Sequence, residues 1–126
     1  MLNAVNPNPT IGVKNLEMAR QFYEKKLGLV PEGNPNADVQ FYRSGNSSIE
    51  IYKSDFAGTN KATSLTWGVG DKLKEEVEAL RAKGIEFEHY QMPSTQLQGD
   101  IHVMQEGMKA VWFKDPDGNT LCIHDQ

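Results

Sequence analysis

The sequence predicts an α+β fold made of two βαβββ modules, each with one amphipathic helix packed on the oily side of its strands. Three observations lead there. First, "PTIGVKNLEMARQFYEKKLGL" and "LTWGVGDKLKEEVEALRAKGIEF" repeat one plan of strand, helix and turn. Second, adding 56 carries Thr10, Gly12, Val13, Gly28 and Leu29 onto Thr66, Gly68, Val69, Gly84 and Ile85. Adding 72 then carries Val39, Phe41, Ile49 and Ile51 onto Val111, Phe113, Leu121 and Ile123. Third, the strand segments alternate apolar and polar residues, whereas the segments between them repeat at helical spacing. The sixteen extra residues of the second copy fall in "YQMPSTQLQGDIHVMQEGMK", read as one long loop or extended arm. With 126 residues the chain is expected to be a single domain, with modules over about 5–56 and 61–126.

In the first module, Ile11 and Val13 share one strand face, against Asn8, Thr10 and Gly12. Asn15 is placed to cap the first helix, Leu16, Ala19, Phe22, Tyr23 and Leu27 form its stripe, and Gly28 closes it. The shift of 72 assigns Val39 and Phe41 to the oily face and Gln40 and Tyr42 to the other; Ile49 and Ile51 oppose Ser48, Glu50 and Tyr52. In the second module, Leu65, Trp67 and Val69 oppose Ser64, Thr66 and Gly68. Asp71 is expected to cap a helix striped by Leu73, Val77 and Leu80 and ended by Gly84. Val111 and Phe113 oppose Trp112, and Leu121 and Ile123 oppose Thr120, Cys122 and His124. Between these last strands "DPDGN" is a turn: Pro116 presets the first dihedral, Asp117 tolerates the second, and Gly118 supplies a positive φ. The non-oily face carries large rings, Tyr42, Tyr52 and Trp112, which points to a curved sheet lining a pocket, with the oily face packed under the helices.

Thirteen Lys and Arg against seventeen Asp and Glu give a net charge of −4. That excludes nucleic acid, which needs a basic face, and disfavours an anionic membrane; no apolar run is long enough to span a bilayer. A neutral or cationic small ligand suits it. One cysteine allows no internal disulfide, and "MLNAVNPNPT" lacks a charged start followed by an apolar run, so a cytoplasmic protein is expected.

"NLEMARQFYEKKLGL" followed much later by "WFKDPDGN" resembles the vicinal oxygen chelate superfamily of glyoxalases, extradiol dioxygenases, and fosfomycin- and bleomycin-resistance proteins. The resemblance covers nearly the whole chain and implies a glyoxalase-like cup. Family members commonly pair as homodimers, so it also implies a homodimer. Its metal enzymes set a His on the first strand and a Glu on the last strand of each module. Carried over by register, these positions hold Asn8 and Ser64, and Glu50 and Cys122. Asn8 and Ser64 stand where imidazoles are needed, so no metal and no other cofactor is expected.

The expected function is metal-independent binding of an aromatic or cationic small molecule, of the bleomycin-resistance type. Its lining would be Asn8, Thr10, Gln40, Tyr42, Glu50, Tyr52, Ser64, Thr66, Trp112 and Cys122, with Tyr42 and Tyr52 partnering Trp112. The alternative is a glyoxalase-like lyase or isomerase, or a dioxygenase-type enzyme, using Glu50 as base or metal ligand. Cys122 reads as a buried, inert thiol, His124 as a frayed surface residue near the chain end, and His102 as either exposed or facing the ligand. Met92, Met104 and Met108 make the arm either a lid or an interface segment.

Overall fold

Both repeats fold as α+β modules, seen in a computed structural model that describes residues 1–34 and 36–126. In the first, β1 (Thr10–Val13) leads to α1 (Leu16–Arg20), which continues as a π-helical turn over Gln21–Lys26. The Asn15 side chain accepts the Met18 N–H at 3.0 Å, satisfying one of the donors that a helix start leaves open. β2 (Val30–Glu32), β3 (Val39–Ser44) and β4 (Ser47–Lys53) follow, and the sheet runs in the order β1-β4-β3-β2. β1 lies parallel to β4, and the other pairs are antiparallel. Ile11, Val13, Ile49 and Ile51 are buried together with Ala19, Phe22 and Tyr23 of the helical segment.

The second module repeats this with β5 (Thr63–Gly68), α2 (Leu73–Ala82), β6 (Phe87–Glu88), β9 (Lys109–Lys114) and β10 (Thr120–His124). The arm is a hairpin of β7 (Thr95–Gln98) and β8 (Ile101–Met104), which extends the sheet to the order β5-β10-β9-β8-β7, with β6 also paired to β9. α2 buries Leu73, Val77 and Leu80. Its start corrects the expected cap: Asp71 lies within a 3-10 turn over Gly70–Lys72, and Lys72 occupies the cap position without a side-chain bond. The glycine before Asp71, at φ +61°, bends the chain and starts that turn early. By chain contacts the two units divide between Thr59 and Asn60.

One expectation about the first sheet is reversed. Tyr42 is paired with Ile49 and Gln40 with Ile51, so both turn to the helix side and are buried. The Tyr42 ring stacks on Tyr23 at 6.3 Å and its hydroxyl donates to Glu24 at 2.6 Å. Phe41, expected in the core, is 36% exposed. The cause is the hairpin. Ser44 pairs with Ser47 across a loop of two residues, whereas Lys114 pairs with Thr120 across a loop of five. These lengths differ by an odd number, so alternation carried across one loop comes out inverted across the other. Ile49 matches Leu121, 72 residues on, but its partner Tyr42 matches Phe113, 71 residues on.

The five-residue loop is held by Asp115, which is 4% exposed. Its carboxylate accepts the Asp117 and Asn119 N–H groups, each at 2.9 Å, and the Asn119 side-chain amide at 2.8 Å. The Gly118 N–H donates to the Asp115 carbonyl at 3.0 Å, with Gly118 at φ +90°, where other residues are strained. Replacing Asp115 by Ala strands buried donors, so the expected loss is roughly 2–4 kcal/mol in denaturant unfolding. Glu106→Ala, an exposed control, should stay within about 0.5 kcal/mol.

Candidate functional site

Each sheet has one face turned away from its buried apolar side. On the first, parallel pairing sets Thr10 beside Glu50, and antiparallel pairing sets Phe41 on its other flank. The next row is Gly12, Tyr52 and Val39. Phe41 and Tyr52 are 36% and 38% exposed, unusual for large rings, and Glu50 is half-buried. Among the described residues the Glu50 carboxylate has no hydrogen-bond or ion-pair partner. The neighbouring carboxylate is different: Glu32 accepts the Ser48 hydroxyl at 2.5 Å and lies 3.9 Å from Arg43. Asn8 precedes β1, is exposed, and its carbonyl accepts the Thr10 hydroxyl at 3.0 Å. Thus Asn8, Thr10, Glu50 and Tyr52 lie on or beside this face, Gln40 and Tyr42 do not, and Phe41 was missed.

On the second sheet the central row is Thr66, Cys122, Trp112 and Glu88. Cys122 is 5% exposed, and burial pushes its thiol up to about 11. At neutral pH it is a protonated, poor nucleophile. Ser64 is the residue left out of the β5–β10 ladder at an irregularity, with Thr63 paired to Thr120 and Leu65 to Leu121. Thr63 takes the nearer place: its hydroxyl accepts the Trp112 indole N–H at 3.1 Å.

Trp112 is packed by two rings of its own module, in place of the expected Tyr42. His102 stands edge-on at 5.0 Å and Tyr90 at 5.7 Å, with 5.9 Å between those two. His102 is fully buried on the arm strand β8, and its Nε2 accepts the Tyr90 N–H at 2.9 Å. That bond assigns the proton to Nδ1, which has no hydrogen-bond partner among the described residues. His102 is therefore neither exposed nor open to a ligand. It packs the arm against the indole. His124 is half-buried in β10 rather than frayed: its Nδ1 accepts the Gln126 N–H at 3.1 Å, and a Cβ on neighbouring Gly68 would meet the Gln126 carbonyl at 2.5 Å. Asp100, in the arm turn, binds Arg81 at 2.6 Å and His89 at 2.7 Å, which hold its carboxyl below the usual range.

A profile of the Glyoxalase/Bleomycin resistance protein/Dioxygenase superfamily matches residues 4–123. The chain belongs to this superfamily. No curated protein sequence matches it significantly. Among solved structures it resembles a glyoxalase family protein from Enterococcus faecalis, at 23% identity and TM-score 0.73, covering 98% of this chain and 99% of that one. It also resembles the bleomycin resistance determinant encoded on transposon Tn5, at 17% identity and TM-score 0.73, covering 96% and 97%. A lactoylglutathione lyase from Agrobacterium tumefaciens aligns at 17% identity and TM-score 0.73, covering 96% and 92%. At these identities the likeness shows the fold.

The metal that some superfamily members imply meets an ill-suited donor set here. The first module offers Asn8 and Glu50, the second Ser64 and Cys122. That is one carboxylate, no imidazole and a thiol held protonated, against the imidazole and carboxylate shell a first-row divalent ion prefers. Among the described residues no group of three or more His, Cys, Asp or Glu is placed to hold an ion.

Burial lowers the His102 pKa, and His89 adds to the effect; the Tyr90 N–H, donated to the ring lone pair, also favours the neutral form. A group buried neutral binds fewer protons folded than unfolded. Stability is therefore intact above the unfolded value of about 6.5 and falls as pH drops below it, towards the folded pKa. Urea midpoints across pH 7.5 to 5 should show this fall in the native protein. His102→Gln, which keeps an acceptor for Tyr90, should lose that component of the slope.

Proposed function

We propose that this protein binds a small aromatic or cationic molecule without a metal, in the manner of the bleomycin-resistance members, as a soluble cytoplasmic homodimer. The observation that carries this is Glu50, a half-buried carboxylate without a side-chain partner, set between Thr10 and the exposed ring of Phe41, with Tyr52 in the next row. A carboxylate with no side-chain partner of its own, set beside open rings, can take a ligand cation as its partner. Exposed rings beside it add stacking and cation–π attraction, about 0.5–2 kcal/mol each. On the second module, taken by itself, Trp112, Thr66, Ser64 and Cys122 are the residues proposed to line its own open face, with Trp112 as the rigid wall.

The same carboxylate also supports a second reading, a lyase or isomerase with Glu50 as base. Glu50→Gln separates the two once a converted compound is found: turnover lost with binding kept points to the enzyme.

Purified protein should carry far less than one equivalent of tightly bound transition metal. A screen of aromatic amines and planar cations should raise its melting temperature, by an amount set by concentration over Kd. Glu50→Gln should abolish the response to cations, and Phe41→Ala should weaken binding roughly 2- to 30-fold. A full equivalent of ion retained through purification, or hits indifferent to both substitutions, defeats the proposal.

A further inference from the structure

The outer edge of β7 is an open template for another strand. β7 ends the second sheet, paired with β8 on one side only, and no backbone hydrogen bond among the described residues reaches its other side. Sheet edges usually carry proline, charge or a bulge that discourages pairing. The edge strand β2 of the first module follows that rule with Pro31 and Glu32, whereas β7 reads Thr95-Gln96-Leu97-Gln98, uncharged and without proline. Gln96, Leu97 and Gln98 are exposed, Leu97 to 44%.

The turn determines which backbone groups point outward. Gly99 at φ +62° opens a two-residue connection between Gln98 and Ile101, of the kind with glycine first. In such a hairpin the closing pair is hydrogen-bonded, and the ladder then alternates. Gln98 and Gln96 therefore bond inward to β8, and Leu97 and Thr95 send N–H and C=O outward.

We propose that β7 pairs antiparallel with β7 of a second copy of this chain, about a two-fold axis at Gln96. Residues facing each other across such an axis share a sheet face, which restricts the register to pairs of equal parity. With Gln96 opposite the partner's Gln96, Thr95 faces the partner's Leu97 and Leu97 faces the partner's Thr95. All four outward bonds then form within the strand. A register centred on Leu97 needs Gly99, which is committed to the turn. The side chains agree with the choice. Thr95 and Leu97 line a groove with Tyr90, Met92 and His89, so each Leu97 enters the partner's groove beside Thr95. On the opposite face the two Gln96 amides meet, each able to donate and accept. No charge opposes its own copy. Four residues of pairing are small beside the roughly 1,600 Å² of a standard interface, so the association is reversible rather than obligate.

Sedimentation of the full chain over a concentration series, with two variants, tests this. The native protein should show concentration-dependent dimers. Leu97→Pro removes an N–H that points away from β8, so it should keep the native circular dichroism yet weaken dimerisation at least tenfold. Gln96→Cys should cross-link between chains under mild oxidation, since opposed Cα atoms lie within disulfide reach, and Gln98→Cys should not. A chain monomeric at every concentration overturns the proposal and leaves the edge to a foreign strand. A dimer unchanged by Leu97→Pro and not cross-linked through Gln96→Cys overturns it in favour of another interface. The pairing rests on the homodimer proposed above, which a monomeric chain would also remove; ligand binding at Glu50 is read separately and is touched by neither result.

Discussion

Everything in this chain follows from the parity of its strand pairs. A βαβββ module buries one side of a sheet under one helical segment, and a slip of one residue would exchange the buried set for the open set. Two hairpins prevent the slip by different means. Gly45-Asn46 makes a turn too short to hold more than one register. The longer Asp115–Asn119 loop is held by a buried carboxylate that accepts three N–H groups, a concentration of charge-assisted bonds few loops possess. Around these turns Ile49 and Tyr42, or Leu121 and Phe113, fall under the helices, and what remains is presented outward.

The two modules use the same plan to present unlike surfaces. The first offers a carboxylate without a side-chain partner, between a hydroxyl and an exposed ring. The second offers an indole braced by a neutral imidazole and a phenol, over a thiol that burial keeps protonated. A first-row divalent ion would ask for imidazoles at positions 8 and 64, where the first module has Asn8 and the second Ser64. Duplication followed by divergence of the open faces explains how one scaffold serves both chemistry and binding within a superfamily.

The arm shows how an insertion joins an existing sheet. Its inner strand is tied down from three sides: Ala110 by register, Tyr90 through the His102 ring, and α2 through Asp100 and Arg81. Those ties leave the outer strand aligned yet unpaired. The result is a sheet with one smooth boundary, and the same imidazole that secures it makes the packing sensitive to acid.

Much of this was legible in the residues. The duplication, the strand–helix plan, the Asn15 cap, the oily faces of β1, β4, β9 and β10, and the turn at Gly118 all follow from spacing and local chemistry, because each depends on neighbours within a few positions. Even the misplacement of Gln40 and Tyr42 had a readable remedy: a two-residue "GN" turn obliges position 42 to pair with 49. Counting loop lengths rather than carrying one shift through would have exposed Phe41. Other features were closed to the sequence. Gly70 permits the early turn before Asp71 without requiring it, and nothing near His102 showed it would lie buried beside Trp112, because its contacts come from Tyr90 and Trp112, about ten residues away on either side. Local pattern determines which side of a strand is oily. Which polar groups find partners, and which are left open for a guest or a second copy, is decided only when distant strands meet.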